Sequence, residues 1–95
     1  MKFGLSEEIY IKIKNVLKNF SQYKFKIFGS RARGDYKNNS DIDLAVFGEI
    51  NQNDEFLILN ELDLIDMPYT IDVVFMKKID KQSLINSILK EGVDF

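Results

Sequence analysis

Residues 41–47 read DIDLAVF, and no other stretch limits the possible folds of this chain so tightly. In an extended strand Ile42, Leu44 and Val46 share one face, while Asp41, Asp43 and Ala45 share the other. The first face suits a core; the second carries two carboxylates. Aspartate is among the poorest strand formers, so its choice here works against the fold. Such local conflicts occur where function overrides stability. Residues two apart on a strand lie about 6.6 Å apart along the backbone, so the two carboxylates can lean together.

The remaining elements follow from periodicity. Ser6 before Glu7 and Glu8 reads as a helix N-cap with a charge-matched first turn. Ile9, Ile13, Val16, Leu17 and Phe20 then form one apolar stripe at helical spacing. KFKIF, residues 24–28, predicts a strand ending at Gly29, and residues 41–47 predict a second. Residues 52–65 read as a helix with Phe56, Leu59, Leu62 and Ile65 inward, stopped by Pro68. YTIDVVF, residues 69–75, predicts a third strand that again holds an aspartate, Asp72. A last helix carries Leu84, Ile85, Ile88 and Leu89, with Asp80 as its cap and Gly92 at its end. The expected fold is α+β in two layers: a small mixed β-sheet with helices packed on one face. A single domain spans residues 1–95.

Composition narrows the chemistry. With 45% hydrophobic residues and eight phenylalanines, a chain of 95 residues can bury a core. There are no cysteines, so disulfides and thiolate metal sites are excluded. There is no histidine either, which removes the commonest general base and transition-metal ligand. Catalysis must use carboxylates, lysine, arginine, tyrosine or hydroxyls, and all-oxygen ligation favours magnesium or manganese. No apolar run approaches the roughly 18 residues of a membrane span. Acidic residues stand where a signal peptide would be apolar. A cytoplasmic protein is the expectation. The net charge of −2 conceals an asymmetry: residues 1–40 hold nine Lys/Arg against three Asp/Glu, and residues 41–95 hold four against twelve.

Arginines meet aspartates at the junction of these halves. If the strands holding Asp43 and Asp72 are neighbours, three carboxylates crowd one patch. Two unit charges about 4 Å apart repel by roughly 4 kcal/mol at an effective dielectric of 20. That is a large share of a stability on the order of 5–10 kcal/mol. Protons or cations must compensate, and two divalent ions would do so. The turn GSRARG, residues 29–34, supplies the other half. Gly29 lets the chain leave its strand sharply, and Ser30 offers a hydroxyl and an N–H. If residues 30–34 begin a helical turn, free N–H groups there favour an anion. Arg31 and Arg33 add donors suited to phosphate. Phosphate groups on one side and metal-binding carboxylates on the other suit metal-assisted phosphoryl or nucleotidyl transfer. Gly29 and Gly34 also have the spacing of an ATPase phosphate loop, but Asp35 and Tyr36 replace its Lys and Ser/Thr. That motif is rejected.

Gly29-Ser30, ten intervening residues, then Asp41-Ile42-Asp43 resemble the signature of the DNA polymerase β-like nucleotidyltransferase superfamily. Ala32, Arg33, Gly34, Ser40 and Leu44 extend the match to the fuller form typical of minimal nucleotidyltransferases. The resemblance implies the nucleotidyltransferase fold, with Asp41 and Asp43 holding two Mg2+ ions, or Mn2+ in their place. Asp72 would complete the metal site as the third catalytic carboxylate. It implies that Gly29 and Ser30 hold the phosphates of ATP. Arg33 matches the motif and is assigned with them; Arg31 is taken as a charge-screening neighbour. The resemblance also implies a partner, because minimal nucleotidyltransferases are commonly encoded beside a HEPN-domain ribonuclease toxin. They act as its antitoxin by transferring AMP to a tyrosine. Two alternatives stand beside this reading: a non-catalytic nucleotide-binding antitoxin that works by occlusion, and a small-molecule nucleotidyltransferase. Direct nucleic-acid binding is not expected, since no basic, aromatic-studded groove is evident. Asp63, Asp66 and Asp80 read as surface or cap residues, Tyr36 and Tyr69 as core or rim packing, and Lys12, Lys14 and Lys18 as a solvated helix face.

Overall fold

The structure, a computed structural model, describes residues 2–95. Helix α1 (Glu7–Lys18) leads to strand β1 (Lys24–Phe28) and a one-turn helix α2 (Ser30–Arg33). Strand β2 (Ile42–Phe47), helix α3 (Gln52–Asp63) and strand β3 (Ile71–Phe75) follow. A 3-10 turn (Met76–Lys78), helix α4 (Gln82–Glu91) and a two-residue strand β4 (Val93–Asp94) complete the chain. The sheet order is β3-β2-β1-β4. β1 lies antiparallel to both β2 and β4, whereas β2 and β3 are parallel and joined through α3. The sheet is thus mixed, as expected, with one strand more than periodicity revealed. Two residues are too short for a periodic signal, and β4 exists through its pairing with β1.

The expected α1 stripe is inward: Ile13, Leu17 and Phe20 are buried, and Ile9 and Val16 pack against them. Ser6 caps the helix by accepting from the Ile9 N–H at 3.3 Å. The core faces of β1 and β2 meet that stripe through Phe25, Ile27, Ile42, Leu44 and Val46. α1 and α3 touch one another over this layer. α4 docks at its end on β1, where Gly92 meets the side chain of Lys26. Ile88 is its one fully buried residue.

Two expectations are corrected. Glu55, Ile58 and Leu62 turn inward from α3, while Phe56 and Leu59 are 65% and 45% exposed. A step of three residues drifts by about 60° around a helix of 3.6 residues per turn, so positions 56, 59, 62 and 65 cannot share a face. Asn51 accepts from the Asp54 N–H at 2.7 Å and sets where the helix starts. Glu55 tolerates burial because Lys78 pairs with it at 2.6 Å. The second correction concerns α4. Its cap is Lys81 rather than Asp80, and no side chain serves its first N–H groups.

Candidate active site

The site begins where β1 runs out. Phe28 is the antiparallel partner of Asp43, so the next residue, Gly29, leaves the sheet directly beside that carboxylate. Gly29 has φ 73° and ψ −154°, a conformation essentially confined to glycine. A methyl group at this position would overlap Asp43 Oδ2. Glycine therefore serves twice, by permitting the turn and by bringing backbone against the carboxylate. The GSRARG stretch then forms α2, the helical turn anticipated for it. Gly34, at φ 94°, closes it by donating its N–H to the Ser30 carbonyl at 2.9 Å.

Asp43 and Asp72 occupy paired positions on the parallel strands β2 and β3. Neighbouring strands lie about 4.8 Å apart, so the two side chains rise side by side from one face. Asp41 sits just before β2 begins and is exposed, as is Asp72, whereas Asp43 is half-buried. Burial pushes the Asp43 carboxyl above the usual carboxylate range, and the charges of Asp72 and Asp41 push the same way. Arg33 acts in the opposite sense. Among the described residues, none of the three carboxylates has an ion-pair partner. Nor do any three acidic side chains among those residues close into a metal-ligating cluster. As a donor set the three still fit a hard divalent cation, being all oxygen, accessible and uncompensated.

Both arginines have partners within the chain, and Arg31 departs from the reading given to it. Arg33 is exposed on α2 and pairs with Asp35 at 3.2 Å and with Glu91 of α4 at 3.3 Å. Arg31, read as a screening neighbour, is 98% buried, with a relative exposure of 2%. Its Nε and Nη2 both donate to the Ser40 carbonyl, at 3.1 and 2.9 Å, and its Nη1 donates to the Phe3 carbonyl at 3.0 Å. The guanidinium lies 4.5 Å from the Tyr69 ring centre and 5.3 Å from that of Tyr36. Both tyrosines thus pack at the rim. Arg31 ties α2 to the residue before Asp41 and to the segment leading into β3. No local pattern announces this, because Phe3 and Tyr69 are brought to it only by the fold.

Residues 11–94 match the model of the family described as Polymerase beta, Nucleotidyltransferase. The chain belongs to the polymerase β-type nucleotidyltransferases. No curated protein matches it. Among solved structures, a toxin–antitoxin with AMP-PNP is similar at a TM-score of 0.65 and 22% identity, over 88% of this chain and 69% of that one. The toxin–antitoxin MntA-HpeT, in a Y104A mutant, is similar at 0.64 and 21%, over 96% and 72%. At these identities the likeness is one of fold. The chain sets Gly29 against Asp43 and pairs Asp43 with Asp72 in register, with Asp41 just before β2 and Arg33 within the field of Asp43. Among the described residues, no helix is long and apolar enough to cross a membrane.

Proposed function

We propose that this nucleotidyltransferase is an adenylyltransferase antitoxin, moving AMP from ATP to a tyrosine of a HEPN-type ribonuclease toxin. The observation that carries the reading is the pairing of Asp43 with Asp72 directly beside the Gly29–Ser30 turn. Burial and the charges of Asp72 and Asp41 make the Asp43 carboxylate costly, which supports a site that takes up cations with a triphosphate. Asp41, Asp43 and Asp72 would hold two magnesium ions, whose chemistry is to polarise the phosphoryl oxygens and neutralise charge on the departing pyrophosphate.

The chain's own residues do the rest. Gly29 and Ser30 present backbone N–H groups and a hydroxyl to the phosphates. Arg33, released from its exposed partners Asp35 and Glu91, turns to the same oxygens. Exposed ion pairs contribute about 0–1 kcal/mol, so the release is easy. Asp72, the more accessible of the paired carboxylates, accepts the proton of the attacking tyrosine hydroxyl. The phenolic oxygen bonds to the α-phosphorus as the bond from that phosphorus to the bridging oxygen breaks. Pyrophosphate leaves with the electron pair. The structural neighbour solved with AMP-PNP supports an adenine nucleotide, and both neighbours being toxin–antitoxin structures supports the kind of partner.

The test is intact-mass spectrometry of the protein encoded beside this chain, incubated with the chain, ATP and magnesium. AMP-sized mass steps are expected, and Asp43→Asn should abolish them. A stable, neutralised complex without mass steps would instead point to inhibition by occlusion.

A further inference from the structure

One cavity lies away from the carboxylates. It is an open groove of about 650 Å³ between α3 and β3. Phe56, Leu59 and Ile65 form one wall, Ile71 and Val73 the other, and Asp63 stands among them. Phe56 and Leu59 are the residues whose periodicity pointed inward and which the fold turns out. β3 is also an end strand of the sheet, so its outer backbone edge has no strand beside it. An edge of this kind is normally blunted or covered, and large apolar residues gathered beside it mark an interaction site.

Charge identifies the occupant. Between Lys37 and Lys77 the chain has no lysine or arginine, yet it has nine Asp and Glu residues. Glu61, Asp63 and Asp66 belong to this stretch and flank the groove in sequence. Nucleic acid and anionic membrane would be repelled by such a border. A second copy docking by two-fold symmetry would set acidic rim against acidic rim. We propose that the groove receives an amphipathic helix of a partner protein, with apolar anchors at helical spacing and Lys/Arg on either side. Side-chain walls on both sides favour a helix laid along the groove.

The groove also bears on the chemistry. Ile71 and Val73 line it, while Asp72 between them points to the opposite face of the same strand. A partner seated here reaches the carboxylates by crossing one uncovered strand edge. Taking that partner to be the adenylylated protein rests on the function proposed above.

The experiment is titration calorimetry of the full chain against the protein encoded beside it, comparing wild type, the double variant Phe56→Glu/Leu59→Glu, and Asp63→Lys. Mg–AMP-PNP is titrated into each as a second ligand. The double variant should bind the partner at least 100-fold more weakly yet bind Mg–AMP-PNP as wild type does. Asp63→Lys should weaken the partner by about tenfold at low salt, with the difference shrinking as salt is raised. Unchanged partner affinity in the double variant overturns the groove and leaves the adenylylation reading standing. A wild type that ignores the partner but dimerises through these residues, as sedimentation would show, overturns it in favour of a second copy. A wild type that does neither overturns the groove, and the mass assay then decides the adenylylation reading independently.

Discussion

Asp43→Asn should make the bare domain more stable while destroying its proposed activity. Asp43 stands beside Asp72 in the parallel register, and strands lie about 4.8 Å apart. Charges about 5 Å apart repel by roughly 3 kcal/mol at an effective dielectric of 20, and by under 1 kcal/mol in water. Since Asp72 is exposed and Asp43 only half-buried, screening takes the figure towards the lower bound, about 1–2 kcal/mol. In a domain of this size that amounts to a rise in Tm of about 5–10 °C. The pH dependence has a definite sign. The folded Asp43 carboxyl holds its proton above the ordinary value of 3.8, mainly through burial and then through Asp72 and Asp41. It therefore binds a proton more tightly folded than unfolded. Stability rises as pH falls through the raised value and gains nothing further below the ordinary one. The gap between variant and wild type should be full at neutral pH and nearly closed by about pH 4. Thermal and urea melts of both proteins, without nucleotide and in a chelator, measure it directly. Added magnesium should then stabilise wild type and leave the variant unmoved. An Asn variant less stable than wild type at pH 7, or a gap that ignores pH, would refute the claim that these carboxylates strain the fold.

Three further outcomes follow from the same geometry. Gly29→Ala forces a side chain into a conformation costing about 1–3 kcal/mol and pushes a methyl into the Asp43 carboxylate; its melt should fall by at least 10 °C, and one within 3 °C of wild type would contradict the overlap. Arg31→Ala strands the Ser40 and Phe3 carbonyls, at about 1–3 kcal/mol each, and empties the space between two tyrosines. Urea denaturation should show a loss of about 3–5 kcal/mol, with Arg31→Lys in between because lysine keeps the charge but not the fork. Arg33→Gln breaks only exposed pairs, so its Tm should stay within about 2 °C, while its affinity for Mg–AMP-PNP by calorimetry drops about tenfold; unchanged affinity would remove Arg33 from the phosphate site.

The pairing of the aspartates was legible because a strand's period of two is strict. Once the strands holding Asp43 and Asp72 are parallel neighbours in this register, both side chains rise from one face. Gly29 was legible only as a turn; its second duty, leaving room for Asp43, depends on the register of Phe28 with Asp43. Arg31 was misjudged for a related reason. One-dimensional reading sees a cation two residues from another cation, whereas its partners Phe3, Ser40 and Tyr69 come from three separate segments. The inward face of α3 failed on arithmetic rather than on distance. Steps of three wind around the helix and pass over Ile58, and the buried set of Glu55, Ile58 and Leu62 includes a charge that no hydrophobic count would choose.

The departures from local good sense are therefore not scattered. Aspartates in strands and a glycine at φ 73° converge on one face of β2 and β3. Exposed Phe56 and Leu59 converge on the other side of β3. A domain of 95 residues has little surplus stability with which to tolerate either, and the two would compound if both stood open at once. A bound partner relieves the second by covering apolar surface, and cations relieve the first by pairing the carboxylates. The two effects draw on different physics, so they separate experimentally. Stabilisation by magnesium should fade with Asp43→Asn and survive Phe56→Glu/Leu59→Glu, whereas stabilisation by the partner should do the reverse. If one variant abolished both, the two faces of β3 would have to be a single site, and the division argued for them would be wrong.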